Sequence, residues 1–143
     1  MIRSPIKRAT PIKPSGRRMK SGHSTGRPTK AQASRFERMR ELGCIACRIG
    51  RSIGIPTAMF GSNGLEIHHL LSGGRRIGHD ATICLCHYHH QAKFLMFPDQ
   101  GYCAHALIFG PSLEHEPNAF RMVYGREDAQ LAYQNALLAG DKA

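Results

Sequence analysis

The chain has 143 residues, with 20 Lys+Arg against 10 Asp+Glu and a formal net charge of +10. It contains no run of 18 apolar residues, which excludes a transmembrane helix, and its first residues lack the apolar h-region of a secretory signal. Aromatic residues make up 7% with no Trp, so a small folded body is expected to need a staple, and 5 Cys and 9 His can supply a metal one.

Residues 1–30 carry Arg3, Lys7, Arg8, Lys13, Arg17, Arg18, Lys20, Arg27 and Lys30, with no Asp or Glu and with Pro5, Pro11, Pro14 and Pro28. That composition cannot bury enough apolar surface to offset the entropy of ordering, so a disordered basic arm is expected. The remaining 31–143 hold 11 basic and 10 acidic residues, so the arm carries nearly all the excess charge. Such an arm suits a polyanion, nucleic acid before an anionic membrane. Arg17, Arg18 and Lys20 are its central candidates for phosphate contact.

Thr29 is expected to cap a helix reaching about Leu42, with Phe36, Met39 and Leu42 on one face and Gly43 as its stop. Cys44-Ile45-Ala46-Cys47 follows as a turn-sized C-x2-C, and 48–64 reads as loop. Leu65 to Leu70 reads as a strand, Ser72 to Arg76 as a flexible basic loop, and Thr82 to Leu85 as a second strand. A helix is expected from Cys86 to about Phe94, and two more over Asn118–Tyr124 and Glu127–Leu138, bounded by Gly125 and Gly140. Leu131, Leu137 and Leu138 are expected in the core, and Gly110 to His115 as a packing turn.

An odd cysteine count without an export signal points to a reducing cytosol, where clustered Cys and His bind metal more often than they form disulfides. Cys44-x2-Cys47 and Cys86-x2-His89 are matched pairs, each able to span two corners of a tetrahedral Zn²⁺. A structural zinc on Cys44, Cys47, Cys86 and His89 would clip the long intervening segment. Cys84 and Cys103 fall outside the pairing and are expected as buried small apolar residues. Six of the nine histidines lie between 68 and 90. His68 and His69 sit on one strand and face opposite ways, which suits a division of labour. One imidazole can bind a divalent ion while its neighbour takes a proton from water. His90, next to His89 on a helix, can face a second metal. The alternative is one larger zinc site, or surface histidines. Arg75 and Arg76, in a Gly-rich loop beside His69, can grip a flanking phosphate.

These residues bring a family into view. Cys44-x2-Cys47, then "EIHH" at 66–69, then "LCHYHH" at 85–90, resembles the HNH (ββα-metal) endonucleases. The run "EIHHLLSGGRRIGHDATICLC", with "GPSLEHEPNAFRMVYG" and "NALLAG" downstream, more closely resembles the phage recombination enhancement function (Ref) family, RecA-dependent HNH nucleases with a basic N-terminal region. The resemblance covers about 36–140. It implies His68 and His90 as ligands of the catalytic ion, His69 as general base, and the Cys/His quartet as the zinc site. The Asn of the HNH name is absent. His79 stands there at the start of the second strand, where it either ligates the ion, the role preferred here, or orients His69. Where many HNH enzymes carry a further His, this chain has Phe94.

The expectation is therefore an α+β fold, a small zinc-stapled ββα-metal core with flanking helices in 31–143 behind a disordered basic arm in 1–30. The expected function is metal-dependent hydrolysis of DNA. Mg²⁺ or Mn²⁺ is the catalytic ion, with Zn²⁺ possible, and neither a small-molecule cofactor nor a membrane is involved. The resemblance alone adds a RecA filament as partner, with the protein phage- or prophage-encoded and acting in a bacterial cytoplasm. Two alternatives stay open: an HNH endonuclease independent of RecA, and a non-catalytic zinc-stapled DNA-binding module.

Overall fold

The computed structural model describes residues 25–58, 64–93 and 99–140. Arg17, Arg18 and Lys20, and with them most of the expected arm, lie outside the described residues, as does Phe94. Helix α1 spans Lys30–Leu42 and starts at a reciprocal capping box. The Thr29 side chain accepts from the Gln32 backbone N–H, while the Gln32 side chain accepts from that of Thr29. Gly43, at φ +93°, closes the helix as expected.

The C-x2-C segment is not an isolated turn. Cys44 is the N-cap of a second helix, α2 (Ile45–Ser52), which buries Ile45, Ala46, Cys47 and Gly50. The expected loop over 48–64 is thus helical through Ser52. The next elements are strand β1 (Leu65–His69), the short strands β2 (Leu71–Ser72) and β3 (Arg75–Arg76), and strand β4 (Thr82–Cys86). β1 and β4 pair antiparallel with Ile67 opposite Cys84 and His69 opposite Thr82. The expected flexible loop at 72–76 is instead a tight ribbon. Ser72 pairs with Arg75, leaving Gly73 and Gly74 as a two-residue turn. Both glycines have positive φ, +55° and +75°, which such a turn requires and which other residues resist.

Helix α3 (His87–Gln91) is capped by Cys86 and ends in the left-handed Ala92, short of the expected Phe94. Then come α4 (Tyr102–Phe109), which periodicity did not announce, α5 (Pro117–Tyr124) and α6 (Glu127–Ala139). Pro117 occupies the first turn of α5, where its missing N–H costs nothing.

The core joins α2, β4, α3 and α5 through Ile45, Ile83, Leu85, Tyr88, Phe120 and Tyr124, all buried. Helix α6 covers the side of β4 that β1 leaves open. Its Gln134 acts as a substitute strand partner: the amide oxygen accepts from the Cys84 backbone N–H at 2.8 Å, and the amide nitrogen donates to the Thr82 carbonyl at 3.1 Å. The sheet edge is therefore satisfied without a third strand. The most buried residues of α6 are Gln130 and Gln134, whereas the expected core leucines Leu131, Leu137 and Leu138 are half-buried. Arg35 of α1 binds the same edge, donating to the Thr82 hydroxyl at 2.7 Å, the Thr82 carbonyl at 3.2 Å and Asn135 of α6 at 2.8 Å. Among the described residues no helix is long and apolar enough to cross a membrane.

Candidate functional site

Cys44, Cys47, Cys86 and His89 are all buried, with ligand atoms within 4.8 Å of one another. The local reason is shared by both pairs. Cys44 and Cys86 are N-caps, and Cys47 and His89 stand three residues further on, at the position that turns back toward the cap. Each cap sulfur accepts a backbone N–H from its partner residue, Cys47 at 3.5 Å and His89 at 3.4 Å. Two helix starts are thus placed head to head across a common centre.

The spacing suits a tetrahedral ion. With Zn–S about 2.3 Å and Zn–N about 2.0 Å, a tetrahedron has S···S edges of about 3.8 Å and S···N edges of about 3.5 Å. Here Cys47 and Cys86 sulfurs lie 3.9 Å apart, and His89 Nδ1 lies 3.6, 3.4 and 3.3 Å from Cys44, Cys47 and Cys86. The electrostatics point the same way. Burial, reinforced by Cys47 and Cys86, pushes the Cys44 thiol up. Burial works to lower His89, yet hydrogen bonds and charge from Cys47 and Cys86 outweigh it and carry the imidazole up to about 9. Three buried sulfurs converge on one imidazole, a donor set whose crowding a divalent cation would relieve. The quartet could hold a metal ion such as zinc.

Its outer contacts are equally ordered. His89 Nε2 faces the Tyr124 hydroxyl at 3.1 Å and the Phe109 carbonyl at 3.3 Å, and the hydroxyl donates to that carbonyl at 2.8 Å. Gly110, at φ +78°, lies against Tyr124 so closely that any side chain would collide with its hydroxyl. Ser112 is buried, and the Leu113 N–H donates to the His89 carbonyl at 2.8 Å. The segment from Gly110 to His115 is a packing turn behind the Cys/His quartet, as expected.

The remaining cysteines divide. Cys84 is fully buried, and burial pushes its thiol up to about 12, so it is inert packing. Cys103 is exposed on α4, contrary to the expected burial.

On the other face of α3, His90 meets β1. Its Nε2 lies 3.0 Å from His68 Nδ1. Two ligands at adjacent corners of an octahedron, each about 2.1 Å from an ion, are themselves about 3.0 Å apart, so the facing nitrogens suit a shared cation. Burial, and then the His90 charge, hold His68 down to about 4, so its lone pair is available at neutral pH. Glu66, two residues before His68 and so on the same face of β1, was not among the candidates read from the sequence. One carboxylate oxygen is hydrogen-bonded to His90 Nδ1, and the other lies 3.1 Å from His87 Nε2. A carboxylate behind a ring nitrogen fixes which nitrogen is left to ligate.

His69 faces the other way, toward α1, with its ring edge against Phe36. Its Nε2 lies 3.1 Å from His79 Nδ1, whose other nitrogen reaches the Gly26 carbonyl at 3.2 Å. Burial, then Arg76 and His79, lower the His69 pKa, which favours the neutral form that can accept a proton. His79 lies in the loop before β4 rather than at its start, and it contacts His69 rather than the His68–His90 pair. Arg75 and Arg76 are exposed on β3, with the Arg76 charge felt at His69.

The family model described as recombination enhancement, RecA-dependent nuclease matches residues 28–139. No curated protein and no solved structure matches the chain.

Proposed function

The chain belongs to the family of RecA-dependent nucleases of recombination enhancement, and from that premise we propose that it is a metal-dependent DNA endonuclease of the HNH type. The observation that carries this reading is the separation of three imidazoles into two working positions. His68 and His90 share one centre at 3.0 Å, while the adjacent His69 lies apart, held by His79. A β-hairpin followed by a helix, with one histidine pair converging between them, is the arrangement that the ββα-metal resemblance leads one to expect.

In the proposed reaction His69 takes a proton from water, and the resulting hydroxide attacks phosphorus as the bond to the leaving oxygen breaks. His79 positions His69 by holding its ring through Nε2. The divalent ion, Mg²⁺ or Mn²⁺, would be held by His68 and His90 and would supply charge stabilisation to the phosphate. Glu66 orients His90 and His87. The Cys44/Cys47/Cys86/His89 quartet, filled by zinc, fixes α3 relative to the sheet and so sets where His90 lies. Arg75 and Arg76, with the N-terminal basic residues that include Arg17, Arg18 and Lys20, contact phosphates. We place the action in the bacterial cytoplasm, on DNA engaged by a RecA filament, with the protein phage- or prophage-encoded.

Incubation of DNA with Mg²⁺ or Mn²⁺, with and without RecA and a nucleotide, tests the reading. Cutting only with RecA is expected. Cutting without it favours an independent HNH endonuclease, and binding without cutting favours a zinc-stapled DNA-binding module.

A further inference from the structure

A cleft of about 680 Å³ opens beside His68. It is lined by Leu71 of β2 and by Ile77 just after β3, by Leu113 from the turn before α5, and by Pro117 and Arg121 of α5 itself. Leu71 and Ile77 are each 58% exposed, and along the chain they stand on either side of Arg75 and Arg76. The cations within the cleft are already matched. Arg121 is held by Glu127 through Nε, 3.0 Å from both carboxylate oxygens, and Arg126 stands 3.7 Å from Asp128. Arg75 and Arg76, on the same ribbon but outside the cleft, have no ion pair among the described residues.

Outside the cleft the surface thus presents two cations without an ion pair among the described residues, and inside it an apolar wall of Leu70, Leu71, Ile77 and Leu113 facing charge-balanced polar side chains. A paired duplex matches only the first half, because its base faces are stacked and only edges and phosphates are offered. An unpaired strand matches both, since its backbone is anionic and its base faces are free to lie on apolar side chains. Resting on the nuclease reading above, we propose that this cleft seats an unpaired nucleotide of the DNA strand beside the scissile phosphate. Leu71 and Ile77 lie against the base, and Arg75 and Arg76 hold the flanking phosphates.

The test is binding of the full, zinc-replete chain to three fluorescent DNAs of one sequence, without added Mg²⁺ or Mn²⁺: a paired duplex, a duplex with an unpaired bubble, and a single strand. The double variant Leu71→Ala/Ile77→Ala is compared with wild type by anisotropy. Both side chains are exposed, so their truncation leaves the core intact, and the N-terminal arm is common to both proteins. The variant is expected to lose roughly tenfold in affinity for the bubble and the single strand, and less than about twofold for the duplex. Equal loss on all three DNAs, or no loss on any, overturns the proposal. The nuclease reading fails separately: a wild type that cuts none of the three DNAs with any ion or with RecA contradicts that reading, while the binding ratios still decide the cleft.

Discussion

Removing the metal from the Cys44/Cys47/Cys86/His89 quartet should unfold the domain at far lower denaturant. The two ligand pairs are 39 positions apart between Cys47 and Cys86. Treated as a cross-link closing that loop, the ion removes unfolded-chain entropy worth about 4 kcal/mol. The ligands add to this in the same direction, because without the ion His89 and Cys44, each 1% exposed, are left as buried polar groups. A domain of this size has about 5–15 kcal/mol in total, so the loss is a large fraction of it. The expected fall in Tm is about 15 °C. The assay is urea and thermal unfolding followed by circular dichroism, with and without a strong chelator, and with bound metal measured by mass spectrometry. Unfolding curves that superimpose with the metal present and fully removed would refute the reasoning, because the quartet would then be four buried side chains and nothing more.

Other outcomes follow from the same geometry. Gly110→Ala should destabilise by about 2–3 kcal/mol through strained backbone and collision with the Tyr124 hydroxyl. Gly54→Ala, at φ +85° with open space around it, should cost only about 1 kcal/mol. Equal midpoints in urea would show that Tyr124 moves aside freely. Glu66→Gln should raise the Mn²⁺ concentration needed for half-maximal cleavage by about 10–100-fold while leaving structural zinc content at wild-type level; an unshifted activation curve would remove Glu66 as the residue that orients His90. Deleting residues 1–24 removes Arg3, Lys7, Arg8, Lys13, Arg17, Arg18 and Lys20 but keeps the Thr29–Gln32 capping box. The plot of log affinity against log salt should flatten by several units, at about 0.9 for each phosphate that is no longer neutralised. A deletion that leaves the slope unchanged would make the arm a bystander.

What was legible in the chain was short-range. Thr29 with Gln32 and Gly43 bracketed α1, the x2 spacing marked both metal pairs, and alternation separated His68 from His69. The same spacing concealed α2, because the N-cap and N3 positions of a helix look like a turn when the apolar stripe beside them, Ile45, Ala46 and Ile49, is only two turns long and is interrupted by Arg48 and Gly50. Helix α4 went unread because Tyr102 to Phe109 are apolar nearly all round and offer no period, which also left Cys103 with the wrong burial. Gln130 and Gln134 lay beyond reach for a different reason. They are polar residues on a buried face, and only the open edge of β4 accounts for Gln134. Glu66 could have been found: a carboxylate two residues before a candidate ligand on a strand must share its face. For His79 both roles were readable, with the ligand role preferred over contact with His69; the choice depends on how the loop after β3 folds back toward α1.

The most direct measurement of the central claim is cleavage of RecA-bound DNA by the wild type and by His69→Ala, both zinc-replete and supplied with Mg²⁺ or Mn²⁺. The predicted result is cutting by the wild type that requires both the ion and RecA, and loss of at least about a hundredfold in the variant, with its unfolding curve and zinc content unchanged. Cutting by His69→Ala at the wild-type rate would contradict the assignment of that imidazole as the base, and with it the separation of duties between positions 69 and 68/90.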